Sequence, residues 1–174
     1  MGGRAPAPVR SNRPDLADSN GQNGLRAVVW AALGAVDDPE YPGVSIVELG
    51  LVEDVRVADD GRRIEVDLIP TFSGCPALGF IADDVRAALA RLDPSAEVVV
   101  TFVAEPAWTP ARIAPSAQHR LAGEFGVGVQ VGDKPPPCPR CGAGALALDS
   151  MFGPTRCRSV HRCRSCGEVI ELIR

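Results

Sequence analysis

Two near-identical cysteine knuckles, Cys138-Pro139-Arg140-Cys141-Gly142 and Cys163-Arg164-Ser165-Cys166-Gly167, constrain this chain more than any other feature. Each can present two soft ligands from one tight turn, and a tetrahedral Zn²⁺ takes four. The glycine after each second cysteine can adopt a positive φ and lets backbone N–H groups approach the thiolate sulfur. Residues 138–174 are too few to build a core unaided, so a metal must take its place. The spacing therefore predicts a metal site at Cys138, Cys141, Cys163 and Cys166; a pair of redox dithiols is the weaker explanation. A fifth cysteine, Cys157, lies between the knuckles. It leaves open a second set, Cys138, Cys141, Cys157 and Cys163, although the symmetric knuckles are favoured with Cys157 as a nearby spare. Iron–sulfur ligation uses the same residue type and also stays open. His161 reads as a solvated loop histidine rather than a fifth ligand, and His119 is blander still.

The 174 residues suit one ordinary domain followed by a small module. No stretch approaches the ~20 apolar residues that a membrane span requires. Residues 1–23 hold Arg, Pro, Gly, Asn and Ser without the apolar segment of a secretory signal. Pro6 stands where a myristoylation signal needs Ser or Thr. These residues read as a disordered tail on a cytoplasmic protein, where the cysteine pairs should be metal ligands rather than disulfides. The formal charge of −4 hides a basic module, with six Arg against Asp149, Glu168 and Glu171 after residue 137. Four thiolates and one Zn²⁺ would leave that module near +1. No phosphate-tracking stripe survives, so neither nucleic acid nor membrane is expected as a partner.

Upstream, the periodicity predicts an α+β fold, a small αββαβα sandwich over residues 24–126. Leu25, Val28, Val29, Ala32, Leu33 and Val36 mark one face of a first helix, with Asn23 as its N-cap. A loop over 40–50 precedes a hairpin, residues 51–58 and 62–71, turned by Asp59-Asp60-Gly61. Its second strand alternates, with Ile64, Val66 and Leu68 on a buried face and Glu65 and Asp67 on a wet one. A second helix opens at Pro76 and carries Leu78, Ile81, Val85, Leu89 and Leu92. The apolar run 98–103 predicts a central strand buried on both faces. A third helix over 117–125 is capped by Ser116 and stopped by Gly126. Residues 127–137, ending Lys134-Pro135-Pro136-Pro137, read as a semi-rigid linker to the ribbon at 138–174.

The sixth cysteine stands apart, in Thr71-Phe72-Ser73-Gly74-Cys75-Pro76. With Pro76 as the first helical residue, Cys75 takes the N-cap, where free N–H groups and the helix dipole should lower its pKa. Ser73 and Gly74 leave an open approach and Thr71 can add a hydrogen bond. Asp38 and Glu40 can line the same edge of the sheet. Local chemistry leaves a reactive thiol and an inert packed one evenly balanced.

Asp38-Pro39-Glu40, Ser45-Ile46-Val47-Glu48-Leu49-Gly50-Leu51-Val52 and the Thr71–Pro76 segment resemble the small α+β domain of SufT-like iron–sulfur cluster assembly factors. Trp108-Thr109, the knuckles, and Phe152-Gly153-Pro154-Thr155-Arg156-Cys157 ahead of Arg162-Cys163 are similar to the PaaD (also PaaJ) family of the phenylacetyl-CoA 1,2-epoxidase system. The likeness runs from about Leu25 through the ribbon. His161 stands where an aromatic residue is expected and Pro154 where serine is usual. Trp108-Thr109-Pro110-Ala111-Arg112 lacks the acid and second aromatic expected after Trp-Thr.

The resemblance implies an accessory protein of phenylacetate degradation that helps mature the iron–sulfur or diiron centres of the epoxidase. Cys75 would be its critical thiol, supported by Thr71, Asp38 and Glu40, with transient iron or an iron–sulfur cluster as cargo. The oxygenase and reductase components would be its partners, the ribbon would hold zinc, and a homodimer is left open. The alternative is a non-catalytic structural subunit bridging the oxygenase components. An enzyme in its own right has little support, because no diiron Glu-x-x-His pair, phosphate-binding glycine loop or dinucleotide fingerprint is present.

Overall fold

The computed structural model describes residues 21–58 and 60–174. Most of the expected tail, 1–20, lies outside them, as does Asp59 of the expected turn. The first helix, α1 (Gly21–Leu33), already includes residues 21–23, so Asn23 sits inside the helix and not at its cap. Val29 and Leu33 are fully buried, whereas Val28, expected on the same face, is exposed.

The segment expected to be a loop contains a small antiparallel pair, β1 (Asp37–Asp38) and β2 (Tyr41–Ser45). Pro39 and Glu40 form its tip. The turn that follows is pinned by its own side chains: Ser45 and Glu48 exchange reciprocal bonds, each backbone N–H donating at 3.2 Å to the other's side chain. Glu48 also accepts from Ser116 Oγ at 3.1 Å and pairs with Arg120. The motif thus ties the turn to the third helix. Gly50 has φ +68°, and a Cβ there would stand 2.5 Å from that of Arg112. Only glycine meets both demands.

β3 (Val52–Val57) pairs antiparallel with β4 (Arg63–Leu68), which pairs in parallel with β5 (Glu97–Phe102) across the connecting helix α2 (Leu78–Ala90). Register places Ile64 beside Val98, Val66 beside Val100 and Leu68 beside Phe102. Ile64, Val66 and Leu68 are buried against α1 and α2, which pack on β3 and β5 and on each other. The other face carries an ion-pair lattice in which Arg56 grips Asp67 at 2.6 and 3.1 Å and Arg63 bridges Glu65 and Glu97. Strand order is β3-β4-β5, so the apolar run 98–103 forms an edge strand with one covered face. The centre belongs to the alternating β4. Apolar content marks burial, and here one-sided helix cover leaves Val99 beside Glu65 on the polar face.

A short 3₁₀ turn (Pro110–Arg112) leads into α3 (Pro115–Glu124). Its N-cap is Ala114 and Ser116 lies inside it, with the Ser116 hydroxyl turned to Glu48 instead of capping the helix. Gly126, at φ +67°, ends it as expected. Residues 127–129, assigned to the linker by sequence, form β6 (Val127–Val129). β7 (Leu146–Ser150), β8 (Arg158–Cys163) and β9 (Val169–Ile173) build the antiparallel ribbon, and β6 joins β9 in parallel to give the order β6-β9-β8-β7. Val127, Val129 and Ile173 belong to the same core as the α+β domain. The two modules are therefore fused by packing as well as by chain. Among the described residues no helix is long and apolar enough to cross a membrane.

Candidate metal and thiol sites

Both knuckles fold alike. Gly142 N–H donates to the Cys138 carbonyl and Cys138 N–H to that of Ala143, each at 2.8 Å; Gly167, Cys163 and Glu168 repeat the pattern at the same distances. Gly142 and Gly167 have φ +74° and +80°. In each knuckle the first cysteine is buried and the second exposed, and Cys138 and Cys163 pack with Ile170 and Leu172 in a small core.

The Sγ atoms of Cys138, Cys141, Cys163 and Cys166 all lie within 4.8 Å of one another, with Cys138–Cys166 at 3.9 Å and Cys141–Cys163 at 3.7 Å. A tetrahedron with ~2.3 Å metal–sulfur bonds needs sulfurs about 3.8 Å apart, so the residues fit a thiolate-bound metal. The Cys166 backbone N–H, joined by that of Ser165, lowers the Cys163 pKa against the effect of burial, whereas at Cys166 the Glu168 N–H is outweighed by burial and the three neighbouring thiols, which raise its pKa. Cys157 is outside this quartet, and the alternative four-cysteine set does not form. His161 is also not a loop residue: it lies on β8, 5% exposed, with Nε2 3.0 Å from Ser159 Oγ. A buried strand position explains why an aromatic residue was expected there.

Where the two modules meet lies a cavity of about 300 Å³, walled by Leu51, Leu68, Ile81, Phe102, Trp108 and Ile173. Asp38, Glu40, Thr71 and Cys75, separated in sequence, all line it. The β1–β2 tip supplies the carboxylates, the segment after β4 supplies Thr71 and Cys75, and the ribbon closes the far side with Pro154, Thr155, Arg156 and Cys157. Cys157 lies 3.2 Å from Thr155 Oγ1, and its thiol is free, as is that of Cys75. Sequence reasoning missed Cys157 here because its knuckle neighbours offered a nearer explanation.

Several contacts hold the cavity's walls. Arg158 donates to Glu40 Oε2 at 2.7 Å and to Glu171 Oε2 at 2.8 Å, and its guanidinium lies 5.0 Å from the Tyr41 ring centroid. Arg156 sits 5.4 Å over Phe72, whose ring folds back on Gly74: a Cβ on that glycine would come 2.8 Å from the ring. Trp108 Nε1 donates to the Leu49 carbonyl at 3.0 Å, and Arg112 braces the same turn through the Gly50 carbonyl and Glu53.

The electrostatics reverse one expectation. Helix α2 starts at Leu78 with Ala77 as its N-cap, so Cys75 lies before the cap and gains less from the helix end. Burial raises its pKa; the Ala77 N–H opposes this, and Glu40, Cys157 and Asp38 add to the rise. Burial likewise raises the Asp38 pKa, although the Glu40 N–H donates to its Oδ1 at 2.8 Å. Tyr41, 6% exposed, has its phenol held protonated by burial, and its hydroxyl has no hydrogen-bond partner in the protein. A cation entering this cavity would meet soft and hard donors, and each bond to a thiol would release a proton.

Fold and sites together define a class: an iron–sulfur-assembly α+β domain joined to a four-cysteine ribbon. The family model described as iron–sulfur cluster assembly protein matches residues 26–112, and the PaaD zinc beta ribbon domain matches 125–174. The chain belongs to this PaaD-type family of iron–sulfur cluster assembly proteins. It is 35% identical to an Escherichia coli K12 protein provisionally named as a component of 1,2-phenylacetyl-CoA epoxidase, over 82% of this chain and 88% of that one. It is 40% identical to the Fe-S protein maturation auxiliary factor YitW of Bacillus subtilis, over 51% of this chain and 84% of the relative. A crystal structure of the domain of unknown function DUF59 from Bacillus anthracis matches with TM-score 0.54 and 35% identity, covering 58% of this chain and 94% of that one.

Proposed function

We propose that this chain is an accessory protein of a phenylacetyl-CoA epoxidase and assists assembly of its iron–sulfur or diiron centres, with Cys75 as the thiol that meets the cargo. The observation that carries this reading is the meeting of Cys75, Thr71, Asp38 and Glu40 in one cavity under the ribbon. Relatives named as an epoxidase component and as Fe-S maturation factors support it from outside. In this reading zinc fills the ribbon and holds the cavity's far wall, while iron or a cluster passes through. A ribbon of metal-bound thiolates beside two free thiols suits a reducing compartment such as the cytoplasm, where this reading places the protein.

The test is the iron and acid-labile sulfide content of the epoxidase reductase, produced with this protein, without it, and with its Cys75→Ala form. Low content in the last two establishes a maturation role carried by Cys75; full content in all three removes that client. A second reading, a structural subunit bridging the oxygenase components, draws on the exposed Leu148, Met151 and Phe152 of the ribbon. It predicts stoichiometric co-purification with the oxygenase and indifference to Cys75→Ala.

A further inference from the structure

We propose that Cys75 and Cys157, one from each module, act together as a two-thiol site that holds a soft divalent metal such as Fe(II) in transit. This rests on the assembly reading above and extends it from one thiol to a pair spanning the domain boundary. The two cysteines line the same cavity, both are free, and Cys157 is near enough to act electrostatically on Cys75. Two carboxylates, Asp38 and Glu40, line the same cavity, so hard oxygen donors stand in the same wall as the two soft ones.

Size and donor number favour transit over storage. Among the described residues only the ribbon quartet brings three or more donor groups within 4.8 Å. The cavity pair is therefore an incomplete shell. A two-thiolate metal keeps open positions, and sulfide or a client's own side chain can occupy them before the metal leaves. The cavity of about 300 Å³ greatly exceeds the ~30 Å³ share of one water, so such co-ligands fit. Each thiol gives up its proton as its bond to the metal forms, and no electron is transferred.

The experiment titrates the full chain, its ribbon loaded with zinc, with Co(II) as a spectroscopic stand-in for Fe(II). Zinc outcompetes cobalt at the ribbon, so the signal reports the cavity. Charge-transfer absorption from two thiolates is expected. Cys75→Ser and Cys157→Ser should each roughly halve that band and weaken Co(II) at least about 10-fold, and the double variant should lose it. Unchanged Co(II) affinity and spectrum in Cys157→Ser overturns the pair.

A variant-free arm guards against misfolding. Phenylarsine oxide condenses with two thiols, its oxygen leaving as water. Mapped adducts on the zinc-loaded wild type should join the peptides of Cys75 and Cys157, and absence of that join overturns the proposal. The two readings separate through the reductase. A client spoiled by Cys75→Ala but matured fully with Cys157→Ser leaves the assembly role standing without the pair. A cobalt-binding pair whose client matures with neither thiol removes the assembly role instead.

Discussion

Arg158 joins β8 to β9 through Glu171 and reaches the other module through Glu40 and Tyr41, and Arg158→Met tests how much these contacts are worth together. Methionine keeps the apolar stem and removes the guanidinium. Arg158 is 13% exposed and Glu171 is 29% exposed, so stranding this glutamate costs about 2 kcal/mol, short of the fully buried range. Glu40 is 41% exposed and its bond adds under about 1 kcal/mol. The contact over Tyr41 adds about 1 kcal/mol. The sum, about 3 kcal/mol, lowers Tm by roughly 6–12 °C for a chain of this size. Thermal unfolding of the metal-loaded protein, followed by circular dichroism, reads it directly. Because Arg158 reaches across to Glu40, the same variant should also speed alkylation of Cys75 and Cys157. A Tm within about 2 °C of wild type, an effect no larger than that of an exposed ion pair, together with unchanged thiol reactivity, would refute the reasoning.

Gly50→Ala should destabilise by at least about 2 kcal/mol, because it adds a close contact with Arg112 at a positive φ; urea unfolding checks it, and Trp108 emission should shift as its turn moves. Removing the ribbon metal with a strong chelator should dissolve the β7–β9 signals in an amide NMR spectrum while those of α1 and α2 persist, and metal analysis should give about one ion per chain. Alkylation of Cys75 should run slower at pH 7 than that of a free thiol and keep rising above its ordinary pKa of 9.0, because a raised pKa leaves less thiolate at neutral pH. Glu40→Gln removes a like charge and should move that profile toward lower pH; no movement would discount the carboxylate's influence.

Features with short-range causes were legible in the sequence. The three-and-four spacing of Ile81, Val85 and Leu89 placed α2, the alternation of Ile64, Val66 and Leu68 gave β4 its faces, and the knuckle spacing marked the metal quartet. What escaped depended on partners far along the chain. Strand β5 has the composition of a central strand, but its rank is set by which strands pair beside it. Val127 and Val129 carry no signal for pairing with a strand beyond both knuckles. Cys157 looked like ribbon chemistry because sequence distance favoured the knuckles, and the fold placed it in the wall of the cavity that Cys75 also lines. The Cys75 environment failed for a subtler reason. A two-residue shift in helix start removed the cap, and burial then outweighed the nearby N–H.

The parallel pairing of β6 with β9 carries a physiological consequence. Strand β9 follows directly on the Cys163–Gly167 knuckle, and it is what covers Val127 and Val129 and brings Ile173 to the main core. A chain lacking its ribbon metal would leave that edge open and apolar, the kind of surface that quality-control proteases and chaperones act on. The steady-state amount of this protein would then track the supply of the metal its ribbon binds.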